Sequence, residues 1–332
     1  LILVILVFWE GVMSDRADEV RARQVEALRR AFGPKVLEFF SDKRVVEIML
    51  NSDGRLWVER LGAEMECVGT MTVTSAMAAI QTAAALVDEV VTHEKPILET
   101  ELPNHGSEFG GARFEALIPP VTERPAFAIR KKAELIFSLE DYVNKGIMTE
   151  QQRAVIEQAV AERKNILIAG GTGTGKSTLA NAVLQAIARI DQHTRIVIIE
   201  DVRELQCEAR NSIFLRTTDV IDQTALLRAT MRLRPDRIVV GEVRDKSALA
   251  LLKAWNTGHP GGVGTVHAND AAAALVRVGQ LVQEANVPPA PELIAEAVNL
   301  VVSIKREQRG RRVDEIARVI GYENGAYVLE RV

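Results

Sequence analysis

The chain has 332 residues, 47% of them hydrophobic and 26% charged, with a formal net charge of 41 − 45 = −4 and an isoelectric point near 5.9. At roughly 150 residues per domain that length predicts about two domains, each with enough apolar residues for a core. The acidic balance argues against wholesale non-specific DNA binding, which uses a basic domain or stripe, and two cysteines far apart, Cys67 and Cys207, argue against a zinc site or a disulfide framework.

The chain opens on LILVILVFW. A bilayer span takes about 20 apolar residues, and a secretory leader would carry a positive flank and a cleavage site. Neither is present. Met13 is the expected initiator, and residues 1–13 read as a non-native upstream extension, with a membrane-surface anchor as the alternative. From Ser14 the pattern is helical to residue 32, with Ser14 and Asp15 as caps and Gly33-Pro34 as the stop. Two β-prone runs, Val45–Leu50 and Arg55–Glu59, flank Asn51-Ser-Asp-Gly54 and predict a hairpin. Residues 74–91 are Ala-rich and helical. From Pro96 to Lys132 short Pro-punctuated runs predict strands and loops. Residues 14–137 are thus a small α+β N-terminal domain, and 138–148 a polar linker.

The pattern over 149–332 is different. Thr149 and Gln152 form a capping-box signature before a helix. Apolar runs at Asn165–Gly170, Arg195–Glu200, Arg237–Glu242 and Gly262–His267 then alternate with helical stretches from Lys176, at Thr224–Met231 and at 247–257. Buried strands alternating with helices predict a mainly parallel sheet covered on both faces, an α/β fold.

Gly170, Gly171, Thr172, Gly173, Thr174, Gly175, Lys176, Ser177 and Thr178 spell GGTGTGKST between the first of these strands and a helix. The glycines let successive backbone N–H groups face one anion, and the helix N-terminus adds the positive end of a dipole. Lys176 is expected on the β- and γ-phosphates of ATP and Ser177 on Mg²⁺. Glu242, at a strand end where Gly241 stands in place of the more usual Asp, is the acid expected to face metal or attacking water; pairing with Arg244 is its plainer alternative. Glu200 and Asp201 end another strand, with Glu204 nearby, and Glu200 shares the expected water and metal work. His267 ends a further strand and is a candidate donor to the γ-phosphate. His259, in the GHPGG segment, reads as a flexible loop residue.

Taken in order, GGTGTGKST, IIEDVRELQ, RLRPDRIVVGEVRD and GGVGTVHAND resemble the Walker A motif, Asp box, atypical Walker B motif and His box of the secretion-superfamily ATPases over about residues 30–330. The resemblance implies a RecA-like P-loop NTPase domain preceded by a small α+β domain, with ATP and Mg²⁺ as cofactors. It implies catalytic roles for Arg113 in GARFEALIPP and Arg130 in AFAIRKK, as N-terminal-domain arginines that meet the γ-phosphate. It further implies a homo-oligomer, a hexameric ring, at the cytoplasmic face of the inner membrane among secretion components. The lack of a tetracysteine insertion and the short chain point to the type IV secretion branch, closest to the TrbB-type conjugal transfer ATPases. A type IV pilus or type II secretion ATPase is the alternative. Arg232 and Arg234 are candidate contacts to a neighbouring subunit. A P-loop DNA motor or helicase would want a basic groove or stacking aromatics; aromatics are only 5%, so no stable nucleic-acid binding is expected.

Overall fold

The structure is a computed structural model that describes residues 2–104, 107–132, 136–307 and 310–332, with side chains from Glu19 onward. The chain divides into two compact units, Leu1–Glu134 and Leu135–Val332.

The first unit begins with α1 (Ile2–Ser41). Helical backbone runs through Ser14 and Asp15, so these are interior residues and not the expected caps. At Gly33 (φ 75°, ψ 168°) the helix breaks. This left-handed position favours glycine, and Pro34 then opens a second helical stretch to Ser41, because the first position of a helix has no use for an N–H. Gly33-Pro34 therefore ends the first helix, as expected, and a second helix continues from it across a kink.

Six strands follow: β1 (Val45–Leu50), β2 (Arg55–Arg60), β3 (Glu66–Thr70), then, after α2 (Val73–Ala85), β4 (Ile97–Glu101), β5 (Arg113–Leu117) and β6 (Ala126–Arg130). They form one sheet in the order β3-β2-β1-β6-β5-β4, and every pairing is antiparallel. The period of two sets its faces. Phe114, Ile129, Ile48 and Val58 stand in one cross-strand row and are buried against Leu28, Phe32, Val36 and Phe40 of α1. The adjacent row, Arg113, Arg130 and Glu47, therefore points to the other face. Cys67 is exposed on β3, the edge strand, and Cys207 is half-buried in the second unit.

The second unit starts inside the expected linker. Residues 138–148 contain α3 (Leu139–Asn144), closed by a capping box in which Ser138 and Asp141 each accept from the other's backbone N–H. Leu139, Tyr142 and Met148 lie in the unit's core. The linker assignment is thus corrected: Leu139 and Tyr142, three apart on α3, and Met148 beyond its end tie this stretch to the core. Burial pushes the Tyr142 phenol well above its usual range.

The rest alternates: α4 (Glu150–Ala161), β7 (Ile166–Ala169), α5 (Lys176–Ile190), β8 (Arg195–Glu200), β9 (Asn211–Arg216), α6 (Gln223–Thr230), β10 (Arg237–Val240), α7 (Ser247–Asn256), β11 (Val263–Val266), α8 (Ala271–Gln283), α9 (Pro291–Ala297), β12 (Leu300–Glu307), β13 (Gly310–Glu323) and β14 (Ala326–Arg331). The sheet order is β14-β13-β12-β7-β11-β10-β8-β9. The six strands from β12 to β9 are parallel, and β13 and β14 add antiparallel to one edge. All four residues of β7, β10 and β11 are buried, as strands covered on both faces must be. Two apolar cores, one on each side of the sheet, contain alternate residues of β7: Ile166 and Ile168 in one, Leu167 and Ala169 in the other.

Candidate functional site

β7 feeds the GGTGTGKST loop at the carboxyl ends of the parallel strands, where α/β sheets bind ligands. The loop packs back on itself. A Cβ at Gly170 would lie 2.5 Å from Thr174 Oγ1 and 2.6 Å from Ile304 O, so no side chain fits there. Thr174 Oγ1 donates to Gly171 O at 2.9 Å. Gly175 is the N-cap of α5 at φ 97°, a left-handed conformation that favours glycine, and the Arg311 side chain of β13 lies against it while donating to Gly173 O at 3.3 Å. The carbonyls of Gly171 and Gly173 are thus drawn into protein contacts. Among the described residues, the N–H groups of Thr172, Gly173 and Gly175 have no acceptor. Unengaged backbone donors in a glycine loop at a helix N-terminus fit a phosphate chain.

Lys176 opens α5 and is 7% exposed. Its Nζ donates to Gly171 O at 3.0 Å and sits 3.4 Å from both ring nitrogens of His267. His267 follows β11, which is hydrogen-bonded directly to β7. Its Nε2 lies 2.6 Å from Glu242 Oε1. A carboxylate oxygen cannot donate, so Nε2 carries the proton in this contact. Lys176, His267 and Glu242 form one contiguous line from the helix N-terminus across two strand ends.

A second line starts at Ser177, whose hydroxyl donates to Glu204 Oε2. Glu204 sits in the loop after β8, and that loop is held in two ways. Buried Glu200, 3% exposed, accepts from the N–H groups of Glu204 at 2.9 Å and Leu205 at 2.7 Å through Oε1. Asn181 of α5 donates to Glu204 O at 3.2 Å and accepts from Gln206 N at 2.8 Å. Of the two carboxylates expected to share water and metal work, Glu242 therefore touches another site side chain, while Glu200 ties down the loop that carries Glu204. Sequence reasoning put Glu204 only in the neighbourhood of Glu200 and Asp201. The signal available was the acid-rich EDVRE run, and which of its acids meets Ser177 is decided by the fold of the loop.

Glu242 lies 4.0 Å from Arg244, whose closer partner is Asp201. A group of three or more His, Cys, Asp or Glu side chains able to cage a metal does not occur among the described residues. Mg²⁺ needs no such cage: it keeps waters and takes one or two carboxylates plus substrate phosphates, and the Ser177 hydroxyl with the Glu204 carboxylate beside a phosphate loop matches that donor set. Arg113 and Arg130 lie in the first unit, directly opposite one another on β5 and β6. Glu99 is 3.6 Å from Arg113 and Glu47 3.9 Å from Arg130. Arg232 and Arg234 are exposed in the turn before β10, and Arg234 has φ 53°. No helix among the described residues is long and apolar enough to cross a membrane.

A mainly parallel sheet with a glycine loop feeding a helix, and with Lys, Ser, His and Glu converging on its mouth, defines a mixed α/β protein preceded by a smaller N-terminal unit. The chain belongs to the type II/IV secretion system protein family, which it matches over residues 31–314. It is 51% identical, over 93% of both chains, to a protein of Sinorhizobium fredii named "Probable conjugal transfer protein TrbB". It is 48% identical to conjugal transfer protein TrbB of Rhizobium radiobacter, over 93% of this chain and 94% of the relative. In fold it is similar to the ATPase DotB of Legionella pneumophila, with a TM-score of 0.59 at 18% identity, covering 89% of this chain and 78% of that one.

Proposed function

We propose that this chain is the ATP-hydrolysing motor of a type IV secretion or conjugal transfer system. Residues 149–332 form a RecA-like ATPase domain, and the chain works as a hexameric ring at the cytoplasmic face of the inner membrane with other secretion components. The observation that carries the catalytic part is the meeting of Lys176, His267 and Glu242 at one side of the loop mouth with Ser177 and Glu204 at the other. The conjugal branch is favoured over the pilus and type II branches by identity near one half to two TrbB proteins along almost the whole chain.

The loop N–H groups and Lys176 bind the β- and γ-phosphates of ATP. Ser177 and Glu204 would hold Mg²⁺, which would neutralise phosphate charge there. Glu242 orients the attacking water and accepts its proton, and His267 keeps the Glu242 carboxylate in place while facing the terminal phosphate. Glu200 keeps Glu204 within reach of Ser177. Arg113 and Arg130 read the γ-phosphate and couple its loss to movement of the first unit.

The test is steady-state ATPase together with nucleotide binding. Glu242→Gln keeps the side chain's size and removes its basicity, so turnover is expected to fall by about 10² to 10⁴ with the dissociation constant for ATP little changed. Lys176→Ala is expected to lose both turnover and tight binding. Parental turnover in Glu242→Gln would remove Glu242 from the mechanism, and parental turnover in Lys176→Ala would remove the loop itself.

A further inference from the structure

Glu242 stands beyond the end of its strand. β10 stops at Val240, and main-chain bonds hold only the N–H groups on either side of Glu242: Gly241 N–H donates to Ile199 O at 2.9 Å and Val243 N–H to Thr265 O at 2.8 Å. Side chains hold the two carbonyls between them. Gly241 O accepts from Thr265 Oγ1 of β11 at 2.6 Å, and Glu242 O accepts from Gln223 Nε2 of α6 at 3.0 Å. The far end of the same amide, Gln223 Oε1, accepts from the Ser247 hydroxyl at the start of α7.

These groups are out of water. Gln223 is 4% exposed, Ser247 1% and Thr265 2%. A buried amide costs free energy unless both ends are bonded, and here both ends are spent on one turn, residues 242–247. Its orientation is fixed as well, since a carbonyl on Glu242 can only accept and the amide must present its NH₂ there. Gln223 is a strut across the turn that carries Glu242, and a leucine of similar size would pack in its place without holding anything.

We infer that Gln223, locked by Ser247, is a positioning residue for hydrolysis: through the Glu242 main chain it sets where the Glu242 carboxylate points, and it contributes to turnover without touching nucleotide. This rests on the reading of Glu242 given above. Misplacing a catalytic group by about 1 Å costs on the order of 10² in rate, and loss of one of two carbonyl anchors is a part of that.

The experiment uses the full chain with Mg-ATP. Gln223→Leu is expected to lower kcat by about tenfold or more, with the dissociation constants for ATP and ADP within twofold of the parent. Gln223→Met, which keeps the length and packs in the same space but cannot donate to Glu242 O, is expected to fail in the same way. Ser247→Ala is the milder variant and is expected to give a smaller loss of the same kind, which keeps the idea testable if Gln223→Leu does not fold. In the Glu242→Gln background, with turnover followed at excess enzyme, Gln223→Leu is expected to change the residual rate by less than twofold, because the group being aimed is already gone. An equal loss in both backgrounds, a parental kcat, or a loss seen in nucleotide affinity alone would overturn the positioning role. Parental turnover of Glu242→Gln by itself would overturn the reading of Glu242, and the inference with it, by a separate arm of the experiment.

Discussion

Gly262 stands just before the strand that leads to His267, and it has no room for a methyl group. A Cβ there would lie 2.0 Å from Trp255 Nε1, 2.4 Å from Ile238 O and 2.6 Å from Trp255 Cε2. Carbon contacts settle near 3.5–4.0 Å, so the indole or the strand must move by more than about 1 Å. The indole cannot move without cost, because Trp255 is 3% exposed and its N–H donates to Ile238 O at 3.1 Å. Orphaning that buried pair costs about 1–3 kcal/mol, and overpacking adds about 1–3 kcal/mol. For Gly262→Ala the centre of the sum is about 4 kcal/mol, which for a unit of this size corresponds to a fall in Tm of roughly 12 °C. Gly279→Ala is the control. It sits inside α8, and its Cβ would meet Ile294 Cδ1 at an ordinary 3.6 Å. Relief of helical glycine is expected to leave Tm unchanged or raise it by about 3 °C. Thermal melts of parent and both variants at one concentration decide the matter. A Gly262→Ala melt within about 2 °C of the parent would refute the packing argument.

Glu204→Gln is expected to cut turnover by about 10² and to raise the Mg²⁺ concentration needed for half-maximal rate, since the amide lowers the charge beside Ser177; an unchanged Mg²⁺ titration counts against Glu204 as a metal-site residue. Arg113→Ala with Arg130→Ala is expected to weaken binding of a non-hydrolysable ATP analogue by about tenfold more than ADP, the scale of one lost charge-assisted hydrogen bond, and equal loss for both nucleotides rejects a γ-phosphate role. Hydrogen bonds from the Arg44 side chain and then its backbone N–H lower Asp42 to about 2. A depressed carboxylate stabilises the fold above its unfolded value, so that contribution is full above about pH 4 and is lost as pH falls towards 2. Asp42→Asn is expected to flatten this acid limb of the first unit's stability, measured by urea titration at stepped pH, and an acid limb of parental slope would refute it.

Much of the second unit could be read from residues alone. The strands at 165–170, 195–200, 237–242 and 262–267 are short apolar runs bounded by turn chemistry, and their residues are buried as such runs require. The Asn51–Gly54 hairpin was equally plain. What periodicity does not carry is order in space. β11 lies between β7 and β10, so His267 meets Lys176 and Glu242, one strand further on, meets His267. The choice between Glu200 and Glu204 was hidden for a related reason: residues four apart on a loop are separated by how the loop folds, and one oxygen accepting two backbone N–H groups decided it. Lys176 offers the same lesson, since nothing in the run GKS says that the lysine is buried. The stretch 138–148 was misread because its six-residue helix is too short for a clear period, although Ser138 and Asp141 carry a capping signature. The GHPGG run at 258–262 reads as flexible, yet Gly261 and Gly262 pack against Arg237 and Trp255.

The strand order has a consequence in time as well as in space. β7 ends at Ala169, and both of its sheet partners are made later: β11 at Val263–Val266 and β12 at Leu300–Glu307. The strands synthesised next, β8 and β9, pair elsewhere. From Ala169 to Leu300 is 300 − 169 = 131 residues, which at about 5–20 residues per second is roughly 7 to 26 seconds of translation. Until β11 is made, 263 − 169 = 94 residues or roughly 5 to 19 seconds into that interval, the sequence Ile-Leu-Ile-Ala has neither neighbour, and it is the kind of unpaired apolar strand that invites association with other chains. The nucleotide loop that β7 carries is therefore completed near the end of synthesis, and the segment from β11 to β12 acts as the closing step in making the protein competent.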